Sequence, residues 1–286
     1  MNNERRDGLI FVLISALVFS SAGLFTKGVE AAAADVVFWR GLAAAAFTFS
    51  WLALTGKLTA QIRALNGPAW LAATLMAAGT AAFIPALKLT SIAHVALIYA
   101  ACPFIAAALA WLMMGERPSR VTMSASLAAL AGVAIIMAGS DERSGSGTSL
   151  QGDVLALVMT TMMAAALAVY RRWPATPAAL PAGISSLILV PFAAALGNPA
   201  DVAIAELPVL IAFGLVFALA SVTLSEGARR LPAAEVALIS ALETPIAPLL
   251  AWLFFASLPG PATWLGGAII FAAVLWSQIA GRAVVR

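Results

Sequence analysis

The chain has 286 residues, of which 63% are apolar and only 10% charged, with a formal charge of +3 and a mean hydropathy of +1.00. Soluble domains carry about 25% charged residues, so a chain this apolar cannot coat a water-facing globule and reads as a protein dissolved in lipid. Its basic residues sit in short loops rather than on one face, which excludes a nucleic-acid footprint, and the lone Cys102 excludes a disulfide framework.

Apolar runs of about 20 residues, the length that crosses a hydrocarbon core, follow one another along the chain. The first, 8–26, comes after the basic start "NNERRDG"; it is long, lacks a small-x-small cleavage site, and is expected to be a retained helix. The second, 35–55, holds Arg40 about a turn and a half in, to be satisfied by snorkelling to an interface or by pairing with Asp35. The third, 67–87, carries the small-residue stretch "GTAAF" suited to close helix contact, and Pro85 near its end. Helices four and five are expected at 92–114 and 121–138, the former interrupted by Pro103. After the polar stretch "GSDERSGSGTSLQG", flexible by its Gly and Ser content, come 152–170, 178–196 (with Pro181 and Pro191), 205–225, 232–256 and 262–279. Trp70, Trp173 and Trp264 sit near span ends as interface anchors.

The expected fold is therefore an all-α membrane protein of ten transmembrane helices, with both termini on one side. Of the 16 Lys and Arg residues, only Lys27, Lys88 and Arg143 fall in segments on the opposite side. Short-loop Lys and Arg favour the cytoplasm, so both termini are placed there. The linker, 140–151, separates a first five-helix unit, 1–139, from a second, 152–286. Five is odd, so the second unit must run upside down relative to the first.

An internal match supports that division. "HVALIYAACPFIAAALAWL" from His94 and "EVALISALETPIAPLLAWL" from Glu235 are 141 positions apart and identical at 11 of 19 positions. Inverted repeats mark secondary transporters, whose substrate sites lie near the bilayer midplane between the halves.

"FWRG" at 38–41, "ALKLTSIAHVALIYAACPFIAAALAWLMMGERPS" at 86–119 and "GARRLPAAEVALISALETPIAPLLAW" at 227–252 resemble the EamA-type members of the drug/metabolite transporter superfamily. The resemblance covers nearly the whole chain, and "GERP" is its most specific part. It implies two inverted five-helix repeats, export of amino acids, metabolites or drugs across a bacterial inner membrane, and greatest similarity to exporters of aromatic amino acids. One departure stands out. At the offset of 141, Glu116 falls on Ser257 and Arg117 on Leu258, so the second repeat lacks the acidic end of the first.

Glu243 is the residue most at odds with lipid. A charged acid at a helix centre costs about 2.5–3.5 kcal/mol on insertion scales, so it is expected to be protonated, paired, or open to a watery cavity. Its functional reading is a site for a substrate ammonium or a transported proton; the structural one is a neutral acid bonded to a carbonyl freed by Pro245 or Pro248. Glu235 is the second coupling candidate, although an acid in a first helical turn also suits the helix dipole. His94 starts the fourth helix, as a pH-responsive group or a simple interface residue. Thr80, Phe83, Tyr99, Ser240 and Thr244 complete the expected substrate cavity among helices 3, 4, 8 and 9, with the mixed polar and aromatic lining of small-molecule sites. Pro85, Pro103, Pro245 and Pro248 are the expected hinges, those of the ninth helix being offset from Pro103 so that the halves need not bend alike.

No catalytic constellation is apparent: there is one histidine, no H-E-x-x-H and no G-x-S-x-G. No metal-ligand cluster, phosphate-binding loop or cofactor motif is present in the sequence. The expected partners are a small-molecule substrate, the bilayer and protons as a candidate coupling ion; the sequence leaves the oligomeric state open and is compatible with a monomer. A broad exporter of lipophilic cations is the alternative that a lone glutamate would suit.

Overall fold

The computed structural model describes residues 3–26, 29–89, 92–138, 150–255 and 260–283. Among them no strand occurs. The helices are α1 (Asn3–Ser20), α2 (Ala22–Thr26), α3 (Ala33–Leu54), α4 (Leu58–Arg63), α5 (Gly67–Leu89), α6 (Ile92–Tyr99), α7 (Cys102–Met114) and α8 (Arg120–Ala138). The second half holds α9 (Leu150–Arg172), α10 (Ala179–Leu196), α11 (Leu207–Ala228), α12 (Ala233–Ser240), α13 (Glu243–Phe255) and α14 (Pro261–Ala283). Eight stretches of the described residues are long and apolar enough to cross a membrane, two of them running through the α6–α7 and α12–α13 junctions. The chain is thus a multi-pass membrane protein. Most of the expected linker falls at 139–149, outside the described residues, as does the side chain of Lys88.

Local chemistry accounts for the element ends. Gly115 closes α7 in the left-handed conformation, φ +67°, with its N–H donating to the Trp111 carbonyl at 2.8 Å. A Cβ there would meet nothing within 4 Å, so the requirement for glycine is conformational. "GERP" is therefore a helix stop: a left-handed cap, then a proline that cannot continue the helix. Hydroxyls inside the spans bond to their own helix, as Thr48 does to the Ala44 carbonyl and Thr160 to that of Ala156, both at 2.8 Å. Lipid offers them no partner.

Packing between the halves has two-fold character. α5 packs on α9, and its counterpart α11 packs on α1; α3 packs on α11, and its counterpart α10 on α5. The counterparts α3 and α10 pack on each other, as do α8 and α14. These last two pairs reveal direction. Along α3 and α10, Asp35 meets Gly197, Gly41 meets Ser186, and Thr48 meets Gly183; along α8 and α14, Gly132 meets Ile270 and Ile136 meets Gly266. In both pairs the numbers rise on one helix as they fall on the other. Equivalent helices are antiparallel, so the two halves run head to foot.

Small residues make these contacts close. A Cβ on Gly132 would lie 2.7 Å from the Gly266 carbonyl oxygen, and one on Gly266 2.3 Å from that of Gly132. Two backbones touch there because neither residue has a side chain. Gly79, in the small-residue stretch, instead makes room for the side chain of Met163 on α9. The core is largely Ala, Val and Leu, while Leu17, Leu112, Leu196, Leu253 and Ile279 stand exposed, as a lipid-facing surface requires.

Several expectations change. The first, fourth and ninth spans are each split into two helices, and the short α4 was not foreseen. Pro85 lies inside the continuous α5 and Pro191 inside α10, so neither ends its helix. A proline near a helix end removes one bond without stopping the element, because neighbouring bonds hold the axis. Asp35 and Arg40 do not pair: five residues of helix turn them about 140° apart around the axis. The breaks in the fourth and ninth spans fall at equivalent places even though the prolines are offset between the repeats.

Candidate functional site

The two split helices cross at the centre of the fold. α6 ends at Tyr99 and α7 begins at Cys102; α12 ends at Ser240 and α13 begins at Glu243. Adding 141 to the first break gives the second. The hydrogen bonds match as well: the Ala101 N–H donates to the Ile98 carbonyl at 3.1 Å, and the Leu242 N–H to that of Ile239, also at 3.1 Å. Each is a tightened i→i−3 turn. Proline supplies the local cause on both sides, since Pro103 and Pro245 lack the N–H that would reach back four residues, to Tyr99 and Ala241.

Glu243 is therefore the first residue of a half-helix, and Cys102 is its counterpart in the other repeat. A helix start carries orphan N–H groups and the positive end of the dipole, which explains how an acid is tolerated at this depth. Glu243 is half-buried, and its carboxylate lies within electrostatic reach of Tyr99 and of buried Cys102. The Ser20 hydroxyl, which donates mainly to the Ala16 carbonyl at 2.6 Å, comes within 3.5 Å of the Glu243 carbonyl. Ser240 is buried, Thr244 and Thr80 are half-buried, and Phe83 is 37% exposed. Pro103 lies in the first turn of α7, and Pro248 lies within α13. His94 belongs to the first turn of α6, but its side chain lies outside the described residues.

The halves of the crossing differ. α12 packs on α7, whereas α6 packs on α8 and α9, and α13 on α1, α2 and α14. The α7–α12 end is closed, and α6 and α13 share no comparable interface among the described residues. The closed end is also the end where the basic residues gather. There Arg5 binds Glu235 at 2.6 Å, Arg171 binds Glu116 at 3.0 Å, and Glu226 binds both Arg229, at 3.1 Å, and Arg230. Glu235 is buried, so its acid is held by more than the helix dipole. A cavity of about 220 Å³ opens beside this ion pair, lined by Glu116, Arg117, Ser119 and Thr122 among others.

The other end is acidic. Glu30, Asp35, Asn198, Asp201 and Glu206 line a recess of about 350 Å³, where the Glu30 N–H donates to Glu206 Oε1 at 2.9 Å. These acids form no metal-binding group: among the described residues no three His, Cys, Asp or Glu side chains are placed for that.

Next to the crossing lies an arrangement that pattern reading missed. The Arg40 guanidinium is buried against the faces of Phe217, at 4.3 Å from its ring centroid, and Phe213, at 5.4 Å. Phe25 stacks on Phe213 at 5.5 Å, and Phe19 meets Phe217 edge-on at 5.8 Å. Two phenylalanines of α11 thus flank the cation, and one ring each from α1 and α2 packs on them. Only Arg40 itself was visible as unusual; rings 15 to 177 positions away carry no local signal of a shared site.

The profile of the EamA-like transporter family matches residues 6–138 and, a second time, residues 150–278. None of the curated proteins matches. Among solved structures, one described as a crystal structure of a protein has 17% sequence identity and a TM-score of 0.79; the match covers 97% of this chain and 98% of that one. At that identity the likeness is one of fold.

Proposed function

Since the chain belongs to the EamA-like transporter family, we propose that it exports amino acids, aromatic or neutral ones or close metabolites, across a bacterial inner membrane by alternating access. In this reading ten helices span the bilayer, both termini are cytoplasmic, and the substrate sits at the crossing of the two split helices. The observation that carries it is the pair of breaks at equivalent positions. Broken helices near the midplane are how many secondary carriers present helix ends and loosened backbone to a substrate. Packing of α7 on α12 at the basic end, with no comparable interface of α6 and α13 among the described residues, supports reading the conformation as open toward the side it exports to. Rocking of one repeat against the other about the two breaks would exchange the closed and open ends.

Glu243 is the proposed coupling residue, with Tyr99, Thr80, Ser240, Thr244 and Phe83 as the proposed surroundings of the substrate. Glu235 takes a different role, as one half of the ion pair at the closed end. The test is counterflow in proteoliposomes with phenylalanine, tryptophan, threonine, alanine and a lipophilic dication. Accelerated exchange of one amino acid class supports the reading. Exchange confined to the dication would instead establish the second reading, an exporter of lipophilic cations, which the single acid at the crossing favours.

A further inference from the structure

Arg40 is a buried cation that no acid among the described residues answers. No carboxylate lies within ion-pair distance of it among the described residues, and its Nε is fully enclosed without a hydrogen-bond partner. Asp35, five positions earlier on α3, is turned elsewhere: its Oδ1 occupies the space that a Cβ on Gly197 would need, and it too is without a partner. The guanidinium carbon lies over the rings of Phe217 and Phe213, 4.3 Å and 5.4 Å from their centroids. Ring faces attract a cation, but they do not satisfy its N–H donors, which point outward in the guanidinium plane. The ring contacts thus hold Arg40 in place without giving its enclosed Nε–H an acceptor. An ionisable group held inside a membrane span without a partner is a functional site by default.

We infer that Arg40 receives the carboxylate of the transported molecule, with the surrounding phenylalanines holding an apolar or aromatic body beside it. The planar fork of arginine matches a carboxylate through two parallel hydrogen bonds. One fixed cation in an apolar box balances one negative charge, which favours a monocarboxylate over a doubly charged phosphate. The position suits a carrier. Phe19 touches Phe217, and the next residue, Ser20, approaches the Glu243 backbone, so this box adjoins the helix break through the end of α1. The inference rests on the transporter reading and narrows its substrate class.

The test is binding to the purified full-length protein in nanodiscs, compared for 3-phenylpropionate and 3-phenylpropionamide, which differ in charge but hardly in shape. The wild type is expected to bind the acid at least ten-fold more tightly than the amide. Arg40→Met should bring the two within about two-fold, while Arg40→Lys, which keeps the charge, should retain most of the preference and controls for folding. A wild type that fails to bind the acid, or an Arg40→Met protein that keeps the full preference, overturns the assignment. The transporter reading fails separately, through absence of counterflow in a wild type that still prefers the acid.

Discussion

Replacing Arg5 by Gln should unlock the basic end of the molecule. Arg5 and Glu235 are 2.6 Å apart, with the glutamate side chain 8% exposed and the arginine 29%. Removing one partner of a fully buried pair costs about 3–5 kcal/mol, because the other charge is left behind in a low-dielectric site. Water reaches part of Arg5, so the loss is smaller, about 1.5–3 kcal/mol. The stranded carboxylate is relieved when α12 separates from α7 and water enters, so the loss falls on the closed state. At about 1.4 kcal/mol per factor of ten, the population open at this end should rise about ten- to a hundred-fold. Ala110, buried on α7 and lining the cavity beside the ion pair, is a reporter position. In a Cys102→Ala background, a cysteine introduced by Ala110→Cys should react with a thiol reagent added at the basic end about ten-fold or more faster once Arg5 is replaced. When opening and closing outpace labelling, the rate follows the open population. Adding Glu235→Gln should restore much of the protection, since no charge is then stranded. An unchanged rate in Arg5→Gln would refute the view that this ion pair holds the end shut.

Other perturbations test the remaining parts. If Glu243 carries the coupled proton, Glu243→Gln in liposomes should exchange substrate at a rate indifferent to an imposed pH gradient while remaining monodisperse; a gradient response equal to wild type would remove that role. Gly266→Ala should destabilise the protein by about 1–3 kcal/mol, and by more than Gly132→Ala, because its new Cβ would lie 2.3 Å rather than 2.7 Å from the facing carbonyl. Thermal unfolding in detergent reads the order. Pro245→Ala restores an N–H that can bond to the Ala241 carbonyl and should slow exchange by straightening the junction of α12 and α13; the matching change Pro103→Ala should act alike on the other repeat. Counterflow rates unaffected by both would show that the breaks do not serve as hinges.

Eight of the ten expected spans, the repeat and its inversion were legible because each depends on a local or pairwise regularity. An apolar run must be long enough to cross lipid, and 11 identities at a fixed offset need no knowledge of folding. Glu243 was conspicuous for the same reason, as an acid in an apolar run. The symmetry of the breaks was not legible, because Pro103 aligns with Thr244 rather than with a proline. A helix breaks where donors are missing and packing permits, and Pro245, one residue further on, serves as well. The pairing of Glu235 with Arg5, across 230 positions, left no trace in either segment.

Hydropathy and loop length alone thus dictated an all-helical membrane chain in two opposed halves, since each helix answers to lipid residue by residue. The partner of each buried charge was settled only when helices distant in sequence packed together. Side chains that meet through space obey no sequence period, so Arg5 found Glu235, Asp35 missed Arg40, and two phenylalanine rings met a cation that no acid accompanies among the described residues.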